Sequence, residues 1–78
     1  MAKGHATALD ALIGEISDSE LSRRSGVARE TLRRIRRGKH HPRFNVVERL
    51  ALALGLENRA LAEAIASTVA AARREARS

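Results

Sequence analysis

Seventy-eight residues leave room for one compact unit, and a chain of this size buries only about 60% of its unfolded surface, too little interior for a substrate cavity inside a catalytic shell. The absence of Cys excludes a disulfide scaffold, a thiol nucleophile and a thiolate zinc site; no apolar run approaches the roughly 20 residues of a membrane span, and MAKGHATALD lacks the apolar core of a signal peptide. Lys and Arg number 15 against 9 Asp and Glu, a net charge of +6, with aromatic residues reduced to Phe44, so an aliphatic core, a soluble cytoplasmic setting and an anionic partner are expected.

Five helices are predicted in chain order. The first, about 7 to 16, opens on the capping-box pattern TALD and carries Leu9, Leu12, Ile13 and Ile16 on one stripe. The second, about 17 to 25, opens on SDSE, buries Leu21 and stops at Gly26. Val27 follows, and a third helix over about 28 to 37 turns Leu32 and Ile35 inward and ends at Gly38. After the loop GKHHPRF, NVVE marks a fourth helix over 45 to 54 with Asn45 as its cap and Val47, Leu50, Ala51 and Leu54 facing a core. The fifth runs from Asn58, read as its N-cap, to about 74 and aligns Leu61, Ile65, Val69 and Ala72; the tail RREARS is expected to be disordered. Strand alternation, repeats and a Gly-rich phosphate loop are absent. The expectation is an all-α, five-helix domain spanning 1–78 with its core at about 7–56.

The charge is concentrated. From Arg23 to Arg43 there are nine basic residues and one acid, Glu30, a local net of +8, while the other residues sum to −2. A merely solvated basic face is the bland alternative, but such a block in an otherwise acidic chain is the electrostatic footprint of a polyanion. Two short helices joined at Gly26-Val27, the second loaded with Arg, form a helix-turn-helix arrangement whose second helix enters the major groove. With Leu32 and Ile35 facing in, the outward residues at 100° per position are Arg29, Glu30, Arg33, Arg34 and Arg37. Arg takes guanine O6 and N7 bidentately and Glu accepts from cytosine N4. Double-stranded DNA is therefore the expected partner.

Residues 17–55 resemble the Xre-like helix-turn-helix family that includes the lambdoid phage repressors and Cro. The matched residues are Leu21, Gly26-Val27, Arg29, Thr31, Leu32, Ile35, Gly38-Lys39, Pro42, Leu50-Ala51 and Ala53-Leu54-Gly55. The resemblance implies a five-helix fold, an operator as ligand and transcriptional regulation, with Arg29, Glu30, Arg33 and Arg34 reading bases. Arg23, Arg37, Lys39, His40, Arg43 and Asn45 are the candidate contacts to the DNA backbone or minor groove, Arg43 by its likeness to the minor-groove Arg of some phage repressors. It also implies a prokaryotic, phage-borne or plasmid-borne protein associated with the nucleoid. Three positions depart from the family. Asp18 stands where a phosphate-touching Gln is common, Ala28 replaces a capping Ser or Thr, and Arg36 replaces a Glu that usually pairs with a cation on helix 1. A sign-swapped pair of Arg36 with Asp10 or Glu15 is the expected compensation, with a solvated or phosphate-bound Arg36 as the alternative.

The fifth helix suggests a homodimer, because its stripe of Leu61, Ile65, Val69 and Ala72 extends beyond a core this small; packing wholly within the chain is the alternative. His5, His40 and His41 lack the partners a metal site needs, the serines have no nucleophile context, and no metal, cofactor or catalytic activity is expected. The leading function is an operator-binding repressor. The alternative is an antitoxin that binds a toxin and regulates its own promoter, and an antirepressor is a further possible protein partner. An RNA or nonspecific polyanion binder is disfavoured by the missing aromatics.

Overall fold

The computed structural model describes residues 7–77, and there the chain folds into five helices with no strand: α1 (Ala8–Ile13), α2 (Asp18–Ser25), α3 (Arg29–Arg36), α4 (Phe44–Leu54) and α5 (Asn58–Arg77). Two of the expected caps are made. The Thr7 hydroxyl accepts from the Asp10 N–H, and the Asp10 carboxylate accepts from the Thr7 N–H, completing a capping box. The Ser17 hydroxyl accepts from the Glu20 N–H at 3.1 Å. Ala28 offers no side chain to α3, as its sequence implies.

Element ends differ from expectation in four places. α1 stops at Ile13, where the chain turns at Gly14, so Ile16 lies in the connection and packs half-buried against the core. α4 starts one residue early: the Val46 and Val47 N–H groups already reach the Arg43 carbonyl at 3.0 and 3.1 Å, which makes Arg43 the N-cap. Asn45 is therefore an exposed first-turn residue and caps nothing. In the same way the Leu61 N–H closes on the Glu57 carbonyl, so Asn58 is helical and not a cap. α5 continues beyond 74 to Arg77, since Arg, Glu and Ala all favour helix and Arg74 and Arg77 in the last turn suit its negative dipole end.

Leu9, Leu21, Leu32, Ile35, Leu61, Ile65 and Val69 are the largest fully buried side chains and form one aliphatic core. α5 crosses the bundle and packs on α1, α4 and α3. The expected dimer stripe is thereby corrected: Leu61, Ile65 and Val69 are 0%, 1% and 2% exposed within a single chain, and Ala72 is half-buried near Gly38. Each such aliphatic side chain contributes roughly 1.5–3 kcal/mol by burial, which the chain's own core already supplies. Among the described residues, the one buried polar residue is Thr68. Its hydroxyl donates to the Ala64 carbonyl at 2.9 Å and accepts from the Leu9 N–H at 3.4 Å, meeting an otherwise orphaned donor in the first turn of α1.

A charged bracket joins the first three helices. Arg36, on the last turn of α3, donates from Nε to Asp10 Oδ1 at 3.1 Å and from Nη1 to Asp18 Oδ1 at 2.7 Å. Its side chain is 26% exposed, and those of Asp10 and Asp18 are 32% and 29% exposed. Burial pulls the guanidinium pKa down, but the hydrogen bonds and charges of Asp18 and Asp10 outweigh it and leave the pKa raised. Arg36 thus stays charged at every accessible pH. The expected sign-swapped pair is made with Asp10; Glu15 takes no part, being exposed beyond the end of α1.

Two outcomes follow for stability. Arg36→Met keeps the aliphatic stem but leaves two carboxylates facing each other, and should cost about 1–2 kcal/mol in urea unfolding, a value between exposed and buried pairs; adding Asp18→Asn should recover part of the loss. Gly26 and Gly38 both have positive φ, 78° and 73°. A Cβ at Gly26 meets only Arg49 Nη1 at 4.0 Å, whereas one at Gly38 meets the Thr68 carbonyl oxygen at 2.7 Å and Ala72 Cβ at 2.9 Å. Gly26→Ala should therefore cost only the backbone strain of about 1–2 kcal/mol, and Gly38→Ala distinctly more, because α5 must shift; equal losses would contradict this packing.

Candidate nucleic-acid interface

The turn between α2 and α3 is set by three residues. Gly26 adopts the left-handed conformation that ends α2, its N–H bonding to the Ser22 carbonyl. The Ser25 hydroxyl donates to the Leu21 carbonyl at 2.7 Å and accepts from the Val27 N–H at 3.1 Å. Val27 then enters the core at 5% exposure. This fixes α3 across α2 with Leu32 and Ile35 inward, so the opposite side of α3 is the presented face.

That face carries the four residues expected to read bases. Arg29, Glu30, Arg33 and Arg34 are all exposed. They are not independent. Glu30 sits between Arg33 and Arg34, 4.0 Å from Arg33 Nη1 and 3.7 Å from Arg34 Nε, distances of charge attraction that exceed hydrogen-bond contact. Arg29 is drawn back towards the first turn of α2, where its Nη1 donates to Ser19 Oγ at 2.9 Å. Glu30, Arg33, Arg34, Arg37 and Lys39 line a common cleft, so the wheel's assignment of Arg37 to the same side as Arg33 and Arg34 corresponds to the geometry.

The chain beyond α3 is held in place by its ending. The Gly38 N–H bonds to the Ile35 carbonyl and the Lys39 N–H to the Arg34 carbonyl, both at 3.0 Å, the paired bonds of a Schellman ending. Arg37 and Lys39 are thereby presented at the C-terminal edge of α3, and His40, Arg43 and Asn45 follow as exposed residues of the connection and the first turn of α4. Arg23 lies apart, on the last turn of α2, where it is ion-paired with Glu20, which also accepts from Arg24 Nε at 2.8 Å. The hydrogen bonds of Arg24 and then Arg23 hold the Glu20 carboxyl below its ordinary range. His41 is exposed, and His5 lies outside the described residues. No group of three or more His, Cys, Asp or Glu able to hold a metal occurs among the described residues, and no helix there is long and apolar enough to cross a membrane.

One ion-pair partner was not foreseen from the sequence. Asp18 reads as a carboxylate in a phosphate-contact position, but it is turned to Arg36 and braces the end of α3. The signal was available: Arg36 and Asp18 depart from the family together, with opposite charge.

Comparison with known proteins agrees with this geometry. No curated protein and no solved structure matches the chain significantly. A family described as helix-turn-helix matches residues 14–57, more than half of the chain, from the end of α1 to the start of α5. A basic second helix presented by a Gly-Val turn, with this match across the segment that builds it, places the chain in the Xre/Cro-like helix-turn-helix family of DNA-binding regulators.

Proposed function

We propose that the protein is an operator-specific transcriptional repressor that binds a palindromic site as a homodimer in a prokaryotic, phage or plasmid setting. The observation that carries the reading is the outward face of α3, where Arg33, Arg34, Arg37 and Lys39 surround a single Glu30 on a helix whose other side is locked into the core. Arg33 and Arg34 take guanine, Glu30 releases them and accepts from cytosine, and Arg29 reads the base nearest the start of α3. Arg23, Arg37, Lys39, His40, Arg43 and Asn45 contact the backbone or the minor groove around them. The ion pairs that Glu30 and Glu20 make in the free chain lie in solvent, where such pairs contribute little, so exchanging them for bases and phosphates costs little.

One α3 spans too few base pairs for genomic selectivity, and a two-fold dimer places two of them about 34 Å apart in successive major grooves. With Leu61, Ile65 and Val69 committed to the core, the dimer face moves to α4. Phe44 and Leu52 are the large hydrophobics left exposed among the described residues, at 66% and 85%. Each borders a cleft that Asn58 also lines, one with Pro42 and Ala62, the other with Leu56. Such a patch, rimmed by Glu48, Arg49 and Arg59, has the apolar centre and charged rim of an interface. A toxin bound there would make the chain an antitoxin instead, and the adjoining reading frame distinguishes the two.

Selection of bound sites from random duplexes tests the reading, and a two-fold motif is the expected result. Arg33→Ala and Arg34→Ala should each lose roughly 1–3 kcal/mol on the selected site and relax preference at one position while the helix content stays; unfolding with unchanged relative preference would show that α3 presents another face. In sedimentation equilibrium at micromolar concentration, Leu52→Glu should give a folded monomer with weakened operator binding, whereas Ile65→Glu, at a core position, should unfold the chain. A folded wild-type monomer that pairs on no full site would refute the dimer.

A further inference from the structure

We propose that the C-terminal end of α5 extends the DNA-facing surface, with Arg73 contacting a backbone phosphate beside the groove that α3 enters. This rests on the DNA-binding reading above and adds a contact outside both the helix-turn-helix and the residues 14–57 that the family match covers. Its starting point is the close approach at Gly38, where the chain leaving α3 lies so near Thr68 and Ala72 that a side chain would not fit. The end of α3 and the turn of α5 from Thr68 to Ala72 are therefore held together.

Beyond that contact the two segments diverge into an open cleft. Arg37, Gly38 and Lys39 form one wall, and Ala72, Arg73, Glu75 and Ala76 form the other. Arg37 and Lys39 also line the cleft on the α3 side with Glu30, Arg33 and Arg34. They are thus a ridge shared by two adjoining basic surfaces, and Arg73 stands across from it. Three cations face one acid, Glu75, and the small side chains of Ala72 and Ala76 leave room for a bulky anion between them. Arg73 is exposed, and among the described residues no carboxylate holds it, in contrast to Arg23, Arg24 and Arg36. A free guanidinium opposite a phosphate-binding Lys, on a rigid helix, is suited to bidentate phosphate contact. Since α5 lies at the rim of the α3 surface and its wall offers no aromatic ring for stacking, the ligand is duplex backbone and not a base.

The test compares Arg73→Gln, Glu75→Gln and Lys39→Ala in the full chain, by fluorescence anisotropy on the selected duplex and on a scrambled duplex across a salt series. Arg73→Gln should flatten the slope of log K against log salt by about 0.9 per half-site, equivalent to about eightfold weaker binding at 0.1 M salt relative to a 1 M reference. The loss should be the same on both duplexes, with unchanged helix content. Glu75→Gln should tighten both. Wild-type slope and affinity in Arg73→Gln, alongside weakened binding in Lys39→Ala, would overturn the α5 contact and leave the DNA-binding reading standing. A loss confined to the selected duplex would overturn it too, since the contact would then be to a base; absence of duplex binding by the wild type would remove both readings together.

Discussion

The structure depends on where α3 points, and the three-residue bracket of Arg36, Asp10 and Asp18 is the polar constraint on that direction. Leu32 and Ile35 fix which face of α3 is buried, yet a greasy contact of two aliphatic side chains tolerates rotation and sliding about the helix axis. Arg36 removes that freedom, because one guanidinium must satisfy a carboxylate at the first turn of α1 and another at the first turn of α2. Both acids sit where a helix N-terminus favours negative charge. The first three helices are consequently tied at a point beside the turn that makes the motif.

The same guanidinium chemistry serves two ends in this chain, and burial separates them. Arg36 is about three-quarters buried and held by two carboxylates, so withdrawing it to bind a ligand would strand both acids. Arg23, Arg24, Arg33 and Arg34 make their ion pairs in open solvent, where such pairs contribute little and exchange readily. Glu20 and Glu30 offset the like charge that the arginines would otherwise concentrate along α2 and α3. Of the basic block between Arg23 and Arg43, Arg36 belongs to the scaffold and the exposed members to the surface.

How much of this was legible in the sequence depended on whether the signal was local. Thr7 and Ser17 act on N–H groups three residues away, so their caps could be read directly. Asn45 and Asn58 carry the same chemistry but lose to the chain itself, because the turns already close on the Arg43 and Glu57 carbonyls. The face of α3 followed from Leu32 and Ile35 alone. The pairing of Asp18 with Arg36 was not foreseen because the two lie 18 positions apart, and only the charge inversion at Arg36 hinted at it. Periodicity on α5 identified the buried stripe correctly as buried, but a stripe does not say what covers it. A straight-line estimate of core size put Val69 out of reach, whereas α5 lies across α1 and brings Val69 back onto the core.

That crossing gives α5 a larger part than a covering helix needs. Thr68 ties it to the start of α1, and one turn of α5, from Thr68 to Ala72, backs the chain at Gly38 where α3 ends. The first and third helices are thus referenced to the same stretch of α5, while Arg36 references them to each other through Asp10. Two independent paths, one polar and one packed, set the same relative orientation, so a distortion of α3 must break both. In a domain of this size with an aliphatic core and no disulfide or aromatic anchor, such redundancy is how a short helix, uncapped at Ala28 and crowded with arginine, is kept at one fixed angle to the rest of the fold.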